Sequence, residues 1–94
     1  QQQSEDEIAD RIRDGMILEA EAANTLMALG AEAVPELMKG LDNPNPLVRR
    51  WAANILAGIG PDAQQALPVL TEALSDSDAG VRAAARAAVD EIAG

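Results

Sequence analysis

The feature that most constrains this chain is that it repeats itself. The stretch AANTLMALGAEA at residues 22–33 returns as AANILAGIGPDA at residues 52–63, a shift of 30. Val34-Pro35-Glu36-Leu37 then returns as Leu67-Pro68-Val69-Leu70, a shift of 33, the difference being an insertion near Gln64-Gln65-Ala66. Leu41-Asp42 corresponds to Leu74-Ser75, and Val48-Arg49 to Val81-Arg82. A period of this length marks a supersecondary unit that cannot bury its apolar face alone. Stacked units bury a continuous core, which makes a solenoid. Three units, at residues 4–30, 31–60 and 61–94, account for the whole chain apart from a frayed tail at residues 1–3.

Each unit reads as two helices. Residues 45–63 show this most fully. Pro46 suits the first turn of a helix, where its missing N–H costs nothing. Val48, Ala52, Ile55 and Ile59 recur at helical spacing. Gly60-Pro61 ends the run, since glycine relieves a C-terminus and proline cannot continue the ladder. Val34, Leu37, Met38 and Leu41 mark the preceding helix, and Ala66, Leu67, Leu70 and Leu74 mark the following one, over residues 63–75. Val81, Ala85, Val89 and Ile92 mark the last, and Leu18, Ala22, Leu26 and Leu29 an earlier one. Ser4 and Glu7 have capping-box spacing and open a short first helix over residues 5–13. The dense turn signals are Asp42-Asn43-Pro44-Asn45 and Ser75-Asp76-Ser77-Asp78. The expectation is an all-α chain of about six short helices in one domain.

Composition agrees. The apolar residues are largely alanine with Leu, Ile and Val, there is no Phe or Tyr, and Trp51 is the sole aromatic residue. Alanine is the strongest helix former, whereas strands want more β-branched and aromatic residues. With neither cysteine nor histidine, the chain lacks disulfides, the usual zinc ligands and any nucleophile–histidine pair. No P-loop or dinucleotide-binding glycine pattern occurs, so catalysis, cofactors and metals are not expected. Asp76-Ser77-Asp78-Ala79-Gly80 fails as a calcium loop. Counting from Asp76, the fifth, sixth and twelfth positions are Gly80, Val81 and Ala87, where the loop needs a ligand, a glycine and an acid.

The net charge is −9. Residues 1–42 hold ten acids and three bases, residues 43–94 six acids and four bases. Such a chain is repelled by nucleic-acid phosphate and anionic membranes, and its electrostatic complement is a basic protein. No apolar run approaches the roughly 20 residues a membrane span needs, and no signal-peptide pattern is present. A soluble, cytoplasmic protein is the expectation. The start at Gln1-Gln2-Gln3, without methionine, fits a processed or excised piece of something longer.

The turn–Val–Arg–x–x–Ala–x–x–x–Leu–x–x–Ile–Gly pattern, followed by Ala and then Leu-Pro-x-Leu-x-x-Ala-Leu, resembles HEAT repeats. It looks closest to the short HEAT-like repeats of phycobilisome lyase subunits and many bacterial proteins. The resemblance implies a right-handed superhelix that acts as a protein-interaction scaffold. It equally allows an accessory or chaperone subunit of a lyase-type enzyme, or a structural segment of a longer solenoid with further repeats at its ends. It also implies a ladder in which the arginine opening each second helix pairs with an aspartate of the preceding turn. Arg82 with Asp76 fits. Arg49 fits less well, because its counterpart is Asn43, and Glu19 stands where the first unit's arginine would be.

The resemblance places the second helices on the inner, concave surface. Trp51 lies about 70° to one side of the core direction on a helical wheel, with Arg50, Asn54 and Gly58 beyond it. A half-exposed tryptophan beside an arginine suits an interface, and equally suits the edge of a core poor in large side chains. Asn24 and Asn54 occupy equivalent places in two repeats. With Glu21 they extend the candidate face towards one end, either as partner contacts or as ordinary solvated helix positions. Glu19, Glu21, Glu32 and Glu36 form an acidic edge or a plain solvated surface.

Overall fold

A computed structural model describes residues 20–94, with side chains described from Ala23 onward. Among these residues the structure is entirely helical. The elements in order are α1 (Ala20–Leu29), a 3-10 helix η1 (Gly30–Ala33), α2 (Val34–Gly40), α3 (Pro46–Ile59), a second 3-10 helix η2 (Gly60–Ala66), α4 (Leu67–Ala73) and α5 (Ala79–Ala93). The helix expected over residues 5–13 lies outside the described residues, as does Glu19.

The sequence's punctuation is used as chemistry predicts. Asn45 takes an extended conformation and its side chain accepts from the Leu47 N–H at 2.9 Å, capping α3. Asp78 caps α5 in the same way, accepting from Val81 N–H at 2.9 Å. Each cap satisfies one of the donors that a helix start leaves without an intrahelical partner. Pro35, Pro46 and Pro68 all sit in first turns. Gly30 and Gly60 have φ of 59° and 76°, a region that side chains with a Cβ avoid, so these glycines let α1 and α3 turn sharply into the 3-10 segments.

One expectation is corrected here. Residues 63–75 do not form one helix: η2 runs through Ala66, and the α-helical run begins at Leu67. A local break at Ala63 (φ −99°, ψ 18°) lies within η2 and divides it in two.

The core runs through every described element. Val34, Leu37, Val48, Leu56, Leu70 and Val81 are its largest fully buried side chains. Burying each of the leucines contributes about 1.5–3 kcal/mol relative to exposure. Helix α2 packs on α3, and α4 packs on α5, as within a unit, while α3 also contacts α1 on one flank and α5 on the other. This explains why α3 buries a wider arc than its apolar stripe predicts: Ala53 and Leu56 are fully buried as well as Val48, Ala52 and Ile55. On α5 the equivalents of Trp51, Ala52 and Ile55 are alanines, Ala84, Ala85 and Ala88, all buried. Their small size lets the two helices approach closely.

Candidate functional site

Two features stand out from this packing: a polar clamp between successive turns, and the solvent-facing side of α1, α3 and α5.

The clamp is built from matching turns. In the turn before α3, Asn45 N–H donates to Asn43 Oδ1 at 2.9 Å. In the turn before α5, Asp78 N–H donates to Asp76 Oδ1 at 2.9 Å. The arginine of each following helix folds back on its own turn. Arg49 Nη1 donates to the Asn43 carbonyl at 2.8 Å and to Pro44 at 3.0 Å. Arg82 Nη1 donates to the Asp76 carbonyl at 2.6 Å. The Asp76 carboxylate, however, is held by Arg49. Nε reaches Oδ2 at 2.9 Å and Nη2 reaches Oδ1 at 3.0 Å. The expected pairing of the Arg82 side chain with the Asp76 carboxylate is therefore corrected. Arg82 takes the backbone oxygen, and the arginine of the preceding unit takes the charge.

The geometry explains the preference. A guanidinium offers donors in a fixed fork that matches a carboxylate with two parallel bonds. Arg49 can present that fork to the next turn while Nη1 stays on its own. Both partners are largely shielded from solvent, at 15% and 14% side-chain exposure. The hydrogen bonds from Arg49, then that from the Asp78 N–H, hold the Asp76 carboxyl below its ordinary value, against an opposing effect of burial. Lys39–Glu36, at 3.4 Å on the surface, is a weak pair by comparison.

On the solvent-facing side, α3 exposes a single stripe: Leu47, Arg50, Asn54 and Gly58. Trp51 is half-buried at its edge and packs against the core. Arg50 and Trp51 are successive residues, so they point about 100° apart around the axis. Arg50 leans over α5, where a Cβ on Gly80 would come within 2.6 Å of its Nη1 and 2.9 Å of its Cδ. Towards α1, the Met27 side chain lies over Gly58, 2.6 Å from where a Cβ would stand. Asn24, one turn before Met27, is exposed. Glu21 belongs to α1, but its side chain lies outside the described ones.

Leu47 and Met27 are the two large apolar residues left exposed, at 49% and 38%. Sequence reading missed both. A signal was available: Leu47 stands three and four residues before Arg50 and Trp51, and so shares their side of the helix. The opposite side, formed by the first helices, offers a surface depression of about 280 Å³ lined by Pro35, Met38, Lys39, Asp42, Gln65 and Val69. Among the described residues no group of three acids could hold a metal ion. No helix among them is long and apolar enough to cross a membrane.

Comparison with known proteins agrees with this architecture. A family model for HEAT repeats matches residues 13–90. Neither a curated protein nor a solved structure matches the chain. A match over most of the sequence, on helix pairs joined by capped turns, settles the family: the chain belongs to the HEAT repeats.

Proposed function

We propose that this chain is a non-catalytic protein-interaction module, a short α-solenoid of three helix pairs whose second helices present the binding surface. HEAT repeats commonly serve as protein-interaction scaffolds. The observation that carries the reading for this chain is the make-up of the α3 stripe. Leu47 is exposed and Trp51 half-buried on one helix, with Arg50 and Asn54 beside them. Interfaces favour aromatic and arginine anchors set among polar groups that fix register. Asn24 continues this surface onto α1, and Glu21 stands one turn earlier in that helix. Inner curvature would wrap the surface around its ligand, and the clamp from Arg49 to Asp76 would keep it rigid.

The test is affinity capture with the wild-type domain and with Trp51→Ala, alongside circular dichroism. The expected result is a partner lost from the variant while helicity stays unchanged. If Trp51→Ala unfolds the domain, the tryptophan belongs to the core edge. If it retains every partner of the wild type, the surface lies elsewhere.

A further inference from the structure

The side of the molecule opposite the α3 stripe carries a groove of its own. Two depressions lie between α2 and the η2–α4 segment. The larger, of about 280 Å³, takes its apolar wall from Pro35, Met38 and Val69. The smaller, of about 140 Å³, takes its acidic wall from Asp42, Glu72 and Asp76. Asp42 and Val69 border both, so the two adjoin. The sequence builds the groove twice over. Pro35, Met38 and Asp42 follow one another at i, i+3 and i+7, and so do Val69, Glu72 and Asp76. Residues so spaced share one side of a helix, and on both strips the apolar residues lead and the acids trail. Met38 and Val69 are partly buried against the core, which makes them the floor.

The charges along this groove are unequally committed. Asp76 is held by the Arg49 fork. Lys39 borders the apolar depression, but its ammonium pairs with Glu36 at 3.4 Å. Asp42 and Glu72 are exposed, and neither carboxylate is paired with another described residue. Residues 60–80 hold four acids and no base. The uncommitted charge of the groove is therefore negative, and it stands at the end of a hydrocarbon floor.

That arrangement complements one kind of side chain. Lysine and arginine lay their methylene stems on apolar surface and keep the charged head in polar surroundings. Met38 and Asp42, four residues apart, are separated by about 6 Å along a helix axis, within reach of such a stem. Arginine suits the acidic end better than lysine, because its planar guanidinium carries five donors and can serve two carboxylates. The net charge of −9 draws cations from a distance, and the groove gives them a place to dock.

We propose that the groove between α2 and α4 docks an arginine of a partner protein, its stem on Met38 and Val69 and its guanidinium between Asp42 and Glu72. This surface is separate from the α3 stripe and stands without it.

The full chain, labelled with nitrogen-15, is titrated with a short end-blocked peptide whose only charge is one arginine beside a leucine, and amide shifts are followed by NMR. A matched peptide carries citrulline, which keeps the planar shape and removes the charge. The arginine peptide is expected to move the amides of Met38, Asp42, Val69 and Glu72, with the citrulline peptide about tenfold weaker. Asp42→Asn and Glu72→Gln should each weaken binding about fivefold, the scale of one partly exposed ion pair, with circular dichroism unchanged. Lys39→Gln should tighten it about twofold by removing a like charge. Trp51→Ala and Glu91→Gln should leave it as it is. Equal binding of the citrulline peptide would overturn the proposal, as would an absence of shifts. So would a loss in Glu91→Gln as large as in Asp42→Asn, which marks attraction to the whole acidic chain. Shifts confined to α3 and abolished by Trp51→Ala would overturn the groove while supporting the second-helix surface.

Discussion

Helices α3 and α5 begin alike. Each is capped by the side chain of an Asx residue, each places a valine in the core one turn on, and each sends an arginine back to its own turn. They end up in different circumstances. Helix α3 is flanked by α1 and α5, whereas α5 is contacted by α3 and α4 and has one flank turned to solvent. Leu56 of α3 is fully buried, and Val89, its repeat equivalent, only partly. Arg49 reaches the next turn's carboxylate, and Arg82 has no further turn among the described residues to reach. In a repeat architecture the contribution of a residue is set by its neighbours as much as by its position within the unit.

Four measurements break or sharpen this contrast. The largest effect is expected from the core. Leu56→Ala should cost about 3 kcal/mol in urea unfolding, since it empties an enclosed site. Val89→Ala, at a partly buried site, should cost about 1 kcal/mol. Equal losses would mean that the open flank of α5 is covered in solution.

The arginines come next. Arg49→Ala leaves the shielded Asp76 carboxylate without its fork and should cost about 2 kcal/mol. Arg82→Ala removes one exposed hydrogen bond, worth about 0.5–1 kcal/mol. A double-mutant cycle with Asp76→Asn should show clear coupling for Arg49 and little for Arg82. Coupling to Arg82 alone would restore the within-unit pairing that the sequence suggests.

The caps should not differ. Asn45→Ala and Asp78→Ala should each cost about 1 kcal/mol, measured as paired melting curves, because a cap acts within its own turn.

The smallest effect is in pH. The folded-state pKa of Asp76 is lowered, so the clamp's contribution is fully present above the ordinary carboxylate range. It is lost as pH falls through the lowered value. Arg49→Ala should therefore narrow its stability gap from wild type on acidification below about pH 4, the unfolded carboxylate range. A gap independent of pH would show that Arg49 acts through packing alone.

Much of the fold was legible because the repeat doubles each signal. Val34 and Leu37, Val48 and Ile55, Leu70, Val81 and Ile92 were readable from periodicity and are all buried. The clamp was not, since aligning the units pairs Arg82 with the aspartate six residues before it. The actual partner of that carboxylate lies 27 residues upstream, and no local pattern encodes a contact between units. The exposure of Leu47 and Met27 was hidden for a related reason: hydrophobic spacing reveals a buried face, and an apolar residue outside it has no periodic signature. The candidate face was legible only as a list of residues. That Arg50 lies over α5, and that Met27 lies over Gly58, follows from the glycines opposite them on neighbouring helices.

The two 3-10 connectors differ in length, four residues against seven, yet both deliver the chain into an equivalent helix. The longer one is not one continuous 3-10 helix, because Ala63 leaves helical geometry inside it. Burial nonetheless recurs every third residue, with Gly60, Ala63 and Ala66 inside and the residues between them outside, the beat of a 3-10 turn. The three added residues are therefore taken up across a kink, and Leu70 still reaches the buried position that Leu37 holds in the unit before.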